Sequence, residues 1–456
     1  MTTSGLPGAQ DTIAAIATPP GRGAIALVRL SGRDAIRIAA HIVAGLDARA
    51  PRAAHLASIR HPTDGALLDE ALVTVFPGPA SYTGEDVVEF SVHGGAIVPP
   101  LVLSALIVAG ARQALPGEFT RRAVMNGRMD LLQAEAVGDL IDARSRMAHQ
   151  VALNQLEGGL SRRAAALRDA ILELEALMAY DIDFPEEDEG SVDRHRVAEV
   201  VTGTLDALDE LLATGETGEM IREGALVVIG GAPNAGKSSL FNALVGRERA
   251  IVTDIAGTTR DAIEAVIEVH GWPVRLVDTA GLRESMNVVE RLGIEISERY
   301  LASADVVVLC AEDPGALTTL LARVQPLTSA PVIAVLTKAD LNQAMTTGAA
   351  TFLQVSALTG AGLDSLGRRI SSQVANRFGA GVSEAPLLTR GRHRDAVNAA
   401  RAELSAFREA WMKNDPPSSV ASIHLHEAAH HLGELIGSID VEDVLGRVFS
   451  TFCVGK

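Results

Sequence analysis

Eight residues, "GAPNAGKS" (Gly231 to Ser238), fit the spacing G-x-x-x-x-G-K-[ST]. They follow the β-branched run "ALVVIG" and open the helical stretch "SSLFNALVG", which also carries Ser239. Glycines there, with Asn234, Ala235 and Gly236 between strand and helix, let backbone N–H groups wrap phosphates. Lys237 can then reach the β/γ oxygens, and the Ser238 hydroxyl can bind Mg²⁺. A chance glycine turn before a helix is the alternative, and the motifs downstream argue against it. "DTAG" (Asp278, Thr279, Ala280, Gly281) closes a later strand, with Asp278 suited to the Mg²⁺ shell and the Gly281 amide to sensing a γ-phosphate. Between them "TDIAGTTRD" reads as a switch-like loop of Thr253, Asp254, Ile255, Ala256, Gly257, Thr258 and Thr259, in which Thr259 offers a second Mg²⁺ ligand.

"TKAD" supplies Thr337, Lys338 and Asp340, and the Asp340 carboxylate can accept from the N1–H and exocyclic amine of guanine. "SAL" adds Ser356 and Ala357, whose backbone can meet the guanine carbonyl. Five elements in order predict GTP binding. Two departures stand out. Thr337 occupies a position where asparagine is usual, so one side-chain amide is missing. Leu282 follows the "DTAG" glycine where many GTPases carry a water-orienting glutamine. Glu290 is the best carboxylate candidate for that role, its alternative being an ordinary solvated helix glutamate.

The elements that must position these residues follow from periodicity. Residues 1–124 alternate β-branched runs ("GAIALVRL", "ALVTVF", "DVVEFSVHGG") with one apolar stretch of helical length, predicting an α+β domain. Residues 125–220 repeat apolar positions at three and four, the mark of long amphipathic helices. Residues 221–383 alternate apolar strands with helices and predict a doubly wound, mostly parallel sheet. Helical periodicity resumes over 384–456. The expected architecture is a multidomain α/β chain in which a P-loop module is inserted into a discontinuous helical domain.

A net charge of −17 argues against a protein that grips nucleic acid by its own positive field. Of 40 basic residues only four are lysine, and three of these, Lys237, Lys338 and Lys456, fall in motifs. Two cysteines exclude a disulfide framework: Cys310 lies in "ADVVVLC" and reads as a buried small hydrophobe, whereas Cys453 stands in the closing "FCVGK". The N-terminal residues lack the pattern of a signal peptide and no apolar span is long enough for a bilayer, so a cytoplasmic location without membrane contact is expected.

With these residues assembled, the sequence resembles the MnmE (TrmE) family of tRNA-modification GTPases along nearly its whole length. The resemblance is carried by "ATPPGRGAIALVRLSG", "FPGPASYTGEDVVEFSVHGG", "PGEFTRRAVMNGRMDLLQAEAVGDLIDA", "DIDFPEED", "GAPNAGKSSLFNAL", "AIVTDIAGTTRD", "DTAGLRE" and "FCVGK". It implies that 1–124 is a folate-binding domain that forms a homodimer, that 221–383 is a G domain, and that an FAD-containing partner, MnmG, joins the work. Together such proteins add an aminomethyl or carboxymethylaminomethyl group to C5 of the wobble uridine of certain tRNAs, with a tetrahydrofolate derivative as one-carbon donor. It further implies a K⁺ site from Asn234, Thr253, Ile255 and Thr258 as two G domains meet, and a water-orienting role for Glu290. Folate contacts would come from Arg29, Glu89, Arg128 and Lys456; arginine stands at 128 where the family has lysine. Cys453 would be a thiol used in the modification chemistry, or else a packed tail cysteine.

Blander readings apply elsewhere. His424, His426, His430 and His431 in "HLHEAAHH" read as a helix surface before a zinc site, and "DFPEEDE" as a solvated loop. Two other functions remain: a regulatory GTPase of ribosome assembly, or a folate-binding scaffold with a slow GTP switch.

Overall fold

The computed structural model describes residues 11–46, 50–183, 194–247, 264–278, 299–341, 352–379, 386–412 and 418–437, with 448, 452, 453 and 455 near the C-terminus. They group into two units, Met1–Gly138 with Ile436–Lys456, and Asp139–Leu435.

The first unit is built on a six-stranded sheet in the order β3-β4-β5-β2-β1-β6. Its strands are β1 (Ile13–Ile16), β2 (Ile25–Ser31), β3 (His55–Arg60), β4 (Leu67–Phe76), β5 (Val87–His93) and β6 (Arg112–Gln113). Neighbours run antiparallel except β1 and β6. Because side chains alternate across a strand, Val73, Phe90 and Val28 share one row on the buried face. They pack with Ile38 of α1 (Ala35–Ala40) and with Val102 and Leu106 of α2 (Val98–Val108), whose first turn accommodates proline. The opposite face carries the next row, Thr74, Glu89 and Arg29. Two further helices follow, α3 (Glu118–Met125) and α4 (Leu131–Asp142).

The C-terminal residues belong to this unit through close approaches only glycine permits. A Cβ on Gly455 (φ +103°) would stand 2.5 Å from the carbonyl oxygen of Ile16, the last residue of β1. The Phe452 ring lies against Gly138, 3.2 Å from where its Cβ would be.

The second unit opens with α5 (Arg146–Leu156), capped by the Ser145 hydroxyl accepting from the Ala148 amide at 3.0 Å. Then come α6 (Gly159–Asp183), α7 (Arg194–Ala213) and α8 (Gly215–Glu223). A second sheet follows, in the order β12-β11-β10-β7-β9-β8, all parallel but for the hairpin of β8 (Glu264–Val269) and β9 (Trp272–Asp278). Its centre is β7 (Ala225–Gly231) and β10 (Val306–Ala311), with β11 (Val332–Leu336) and β12 (Leu353–Gln354) beyond. Buried side chains occupy both faces, which is why these strands read as continuous apolar runs. Helices α9 (Lys237–Arg247), α10 (Pro314–Val324) and α11 (Leu363–Phe378) cover the sheet. Helix α12 (Gly391–Met412) then packs on α7 through Val397, Ala400, Leu404 and Phe407, and α13 (Ser418–Ile436) follows. The sheet segment is thus inserted between helices in the chain.

Candidate functional site

Strand β7 is buried through Gly230 and delivers the glycine loop at its C-terminal end. Gly231 (φ +149°) admits no side chain, since a Cβ would stand 2.2 Å from the Cys310 carbonyl oxygen on neighbouring β10. Asn234 holds φ +61° and Gly236 φ +76°, left-handed conformations that glycine and asparagine tolerate best. Lys237 is buried, and its ammonium donates to the Ala232 carbonyl at 2.7 Å, folding the side chain over the loop. The Ser238 hydroxyl donates to Asp278 Oδ2 at 2.6 Å, so residues forty apart in sequence meet where the sheet ends. A hydroxyl and a carboxylate oxygen are hard donors of the kind Mg²⁺ takes, and the pair fits that ion.

The second half of the site is tied to the first. Thr337 is buried, and its hydroxyl donates to the Ala235 carbonyl at 2.8 Å, with the Ala311 carbonyl at 3.2 Å. The unusual threonine therefore fastens the "TKAD" segment to the glycine loop. Lys338 pairs with Glu312 at 2.5 Å. Asp340 Oδ1 accepts from the fully buried Ser356 hydroxyl at 2.5 Å, joining "TKAD" to "SAL". Ser239 and Ala357 stand beside these contacts in sequence. Cys310 is a packed core residue as expected: burial pushes its thiol up to about 12, which keeps it protonated and inert.

In the first unit, Arg29 and Glu89 are direct cross-strand partners, and the guanidinium meets Glu89 Oε1 at 2.8 Å. Arg29 also lies over the rings of Tyr82, at 5.3 Å, and Phe119, at 5.8 Å. Burial raises the Tyr82 hydroxyl above its ordinary pKa despite its hydrogen bond with Thr120. Arg128 is exposed, with its aliphatic stem against Gly84 (φ +79°) of "SYTGED"; no contact joins it to Arg29 or Glu89 among the described residues. The Cys453 thiol is exposed, while its carbonyl accepts from the Gly117 amide at 3.3 Å, at the start of α3.

Beneath this surface lies a charge network that the sequence reading did not single out. Arg122 is buried and donates to the Asp11 carbonyl, to both Glu85 oxygens and to Glu118. Glu118 also accepts from Arg112 at 2.8 Å and from the Leu115 amide at 2.8 Å. Burial alone would raise the Glu118 carboxyl, but Arg112, the Leu115 amide and Arg122 outweigh it and hold the group below its usual range. The signal available in sequence was the charged pair "TRR" after "PGE", one turn apart on a helix.

Thr253, Asp254, Ile255, Ala256, Gly257, Thr258, Thr259, Thr279, Ala280, Gly281, Glu290 and Lys456 lie outside the described residues, as does "DFPEEDE" after Asp183. The histidines of α13 meet carboxylates: His424 with Glu403 at 2.7 Å, His426 with Glu175 at 3.2 Å, His431 with Glu434 at 3.4 Å. Among the described residues no group of three His, Cys, Asp or Glu could hold a metal, and no helix is long and apolar enough to cross a membrane.

The sequence profile of the MnmE helical domain matches residues 131–453, and that of the GTP-binding protein TrmE N-terminus matches residues 12–128. The tRNA modification GTPase MnmE of Aquifex aeolicus is 42% identical over 453 residues, covering 98% of this chain and all of that protein. Its counterpart from Moorella thermoacetica is 43% identical over 462 residues, 98% of this chain and 99% of that one. Among solved structures, the G domain of the T. maritima FeoB iron transporter is 26% identical and covers 33% of this chain and 98% of its own, with a TM-score of 0.24.

Proposed function

The chain belongs to the MnmE family of tRNA modification GTPases, and from that premise we propose how its residues divide the work. GTP is taken by the loop from Asn234 to Ser239, with the Lys237 ammonium beside the phosphates and Asp340, Ser356 and Ala357 on the guanine. Ser238 and Asp278, with Thr259, would hold Mg²⁺, which when bound would supply neutralisation of phosphate charge. Thr253, Ile255 and Thr258 join Asn234 around K⁺, and Glu290 orients the attacking water that Leu282 cannot. The single observation carrying this reading is the 2.6 Å contact between Ser238 and Asp278 at the end of a glycine loop built on a buried strand.

The modification itself belongs to the other unit. Glu89 offers a carboxylate to adjacent N–H donors of a pterin ring, the partly buried Tyr82 offers a flat surface, and Arg29, Arg128 and Lys456 suit the carboxylates of a folate tail. The chain works as a homodimer in the cytoplasm with an FAD-containing MnmG-type partner. They add an aminomethyl or carboxymethylaminomethyl group to C5 of a wobble uridine, and Cys453 takes part. An acidic chain leaves most of the grip on tRNA to that partner.

GTP turnover in KCl against NaCl at equal ionic strength tests the nucleotide half. Strong K⁺ stimulation that disappears in Asn234→Ala, with low turnover in Glu290→Ala, is the expected result. Equal slow turnover in both salts would sink cation-assisted pairing of G domains and favour a folate-binding scaffold.

A further inference from the structure

One carboxylate holds both ends of the segment that carries the GTP-binding sheet. Asp139, in α4, accepts at Oδ1 from Arg222 Nε at 3.0 Å and from Arg390 Nη2 at 2.7 Å. Arg222 lies in α8, just before β7 begins, and Arg390 lies where the chain leaves the sheet segment and starts α12. Nearby ties hold the same exit. Gln155 of α5 donates to the Leu387 carbonyl and the Thr389 hydroxyl, each at 3.1 Å, and the Thr214 hydroxyl accepts from the Leu388 amide at 3.1 Å. Gly218 of α8 lies so close that a Cβ would stand 2.1 Å from the Leu388 carbonyl oxygen.

Helix α5 belongs instead with the sheet. Val151 lies in the core with Ile267, Val269 and Trp272, and the Arg146 amide donates to Glu268 of β8 at 2.8 Å. The β8–β9 hairpin ends at Asp278, beside Ser238. A cavity of about 240 Å³ lies among these ties, lined by Asp139, Asp142, Arg222, Ala148, Val151 and Gln155. Asp139 Oδ2 and Arg390 Nε are buried without a hydrogen-bond partner among the described residues. Two guanidinium groups therefore share one oxygen, while the second oxygen has no partner among the described residues and a cavity lies alongside. Packed cores change by discrete steps and not by continuous bending.

We propose that Asp139 is a positioning residue that latches the GTP-binding sheet to the helices and passes its nucleotide state into α4. The latch rests on GTP binding by this chain and not on the folate or K⁺ readings. Its test is amide hydrogen exchange of the full-length protein loaded with GDP or with a non-hydrolysable GTP analogue. In wild type, exchange in residues 131–142 and 386–390 differs between the two nucleotides by about three-fold or more. In Asp139→Ala that difference is lost, nucleotide affinity stays within about two-fold, and Asp139→Glu restores part of the difference. The same nucleotide-dependent difference in Asp139→Ala as in wild type overturns the proposal. So does exchange in wild type that ignores the nucleotide although affinity measurements show it bound. Uniform loss of protection across both sheet and helices in Asp139→Ala and Asp139→Glu alike marks a packing residue and overturns it too.

Discussion

A threonine hydroxyl has one proton to donate, and Thr337 directs it between the Ala235 and Ala311 carbonyls. Ala311 keeps a second donor, the Thr337 amide at 2.9 Å, so the hydroxyl matters most to Ala235 in the glycine loop. Thr337→Val keeps shape and volume but leaves that carbonyl short of a donor, at a cost of about 1–3 kcal/mol. If the loss falls on the bound state, GDP affinity drops roughly 5- to 150-fold, measured by titration with a fluorescent analogue. Thr337→Ser keeps the donor and stays near wild type; equal binding by the valine and serine variants would show the tie to be idle. Glu118 gives a prediction with a pH sign. Its carboxyl is held below its unfolded value by Arg112, the Leu115 amide and Arg122. The stabilisation is therefore complete above the unfolded pKa of about 4.3 and is lost as pH falls through the folded-state value. Glu118→Gln should lower the urea midpoint of the first unit at pH 7 and flatten its fall between about pH 5 and 3. An unchanged slope would assign the acid sensitivity elsewhere.

Elements explain why some of this was legible in sequence and some was not. The glycine loop could be read because strand, loop and helix are consecutive in the chain. The sheet of the second unit was legible for a similar reason: β7 and β10 are buried on both faces and read as unbroken apolar runs. Arg29 meeting Glu89 is different, because it needs β2 beside β5 and a register that pairs those two residues. Alternation gives the face of a residue but not its neighbour across the sheet. The network of Glu85, Glu118 and Arg122 was missed for the same cause, and the docked tail still more so. Resemblance alone pointed "CVGK" towards the N-terminal domain; the fit of Gly455 against Ile16 gives the physical reason. Gly455→Ala places a methyl 2.5 Å from a backbone oxygen at a positive φ. Carboxypeptidase should then remove the last residues roughly ten-fold faster, as a released terminus allows. Digestion at the wild-type rate would mean that the tail is held by other contacts.

At the scale of the molecule, the two units should answer to different ligands. All of the described nucleotide motifs fall in Asp139–Leu435, whereas Arg29, Glu89, Arg128 and Cys453 fall in the unit formed by Met1–Gly138 with Ile436–Lys456. A ligand that binds only folded protein raises stability by RT ln(1 + [L]/Kd), about 2.7 kcal/mol at a hundredfold excess over Kd. Calorimetry of the full chain should therefore resolve two transitions, as chains with separate cores commonly do. GDP with Mg²⁺ should raise one by several degrees and leave the other in place, while a reduced folate should do the reverse. Removing residues 452–456 should lower only the folate-sensitive transition, because Phe452, Cys453 and Gly455 meet Gly138, Gly117 and Ile16 of the first unit. A single transition moved by either ligand would show instead that the units unfold as one, and each ligand would then stabilise the site of the other.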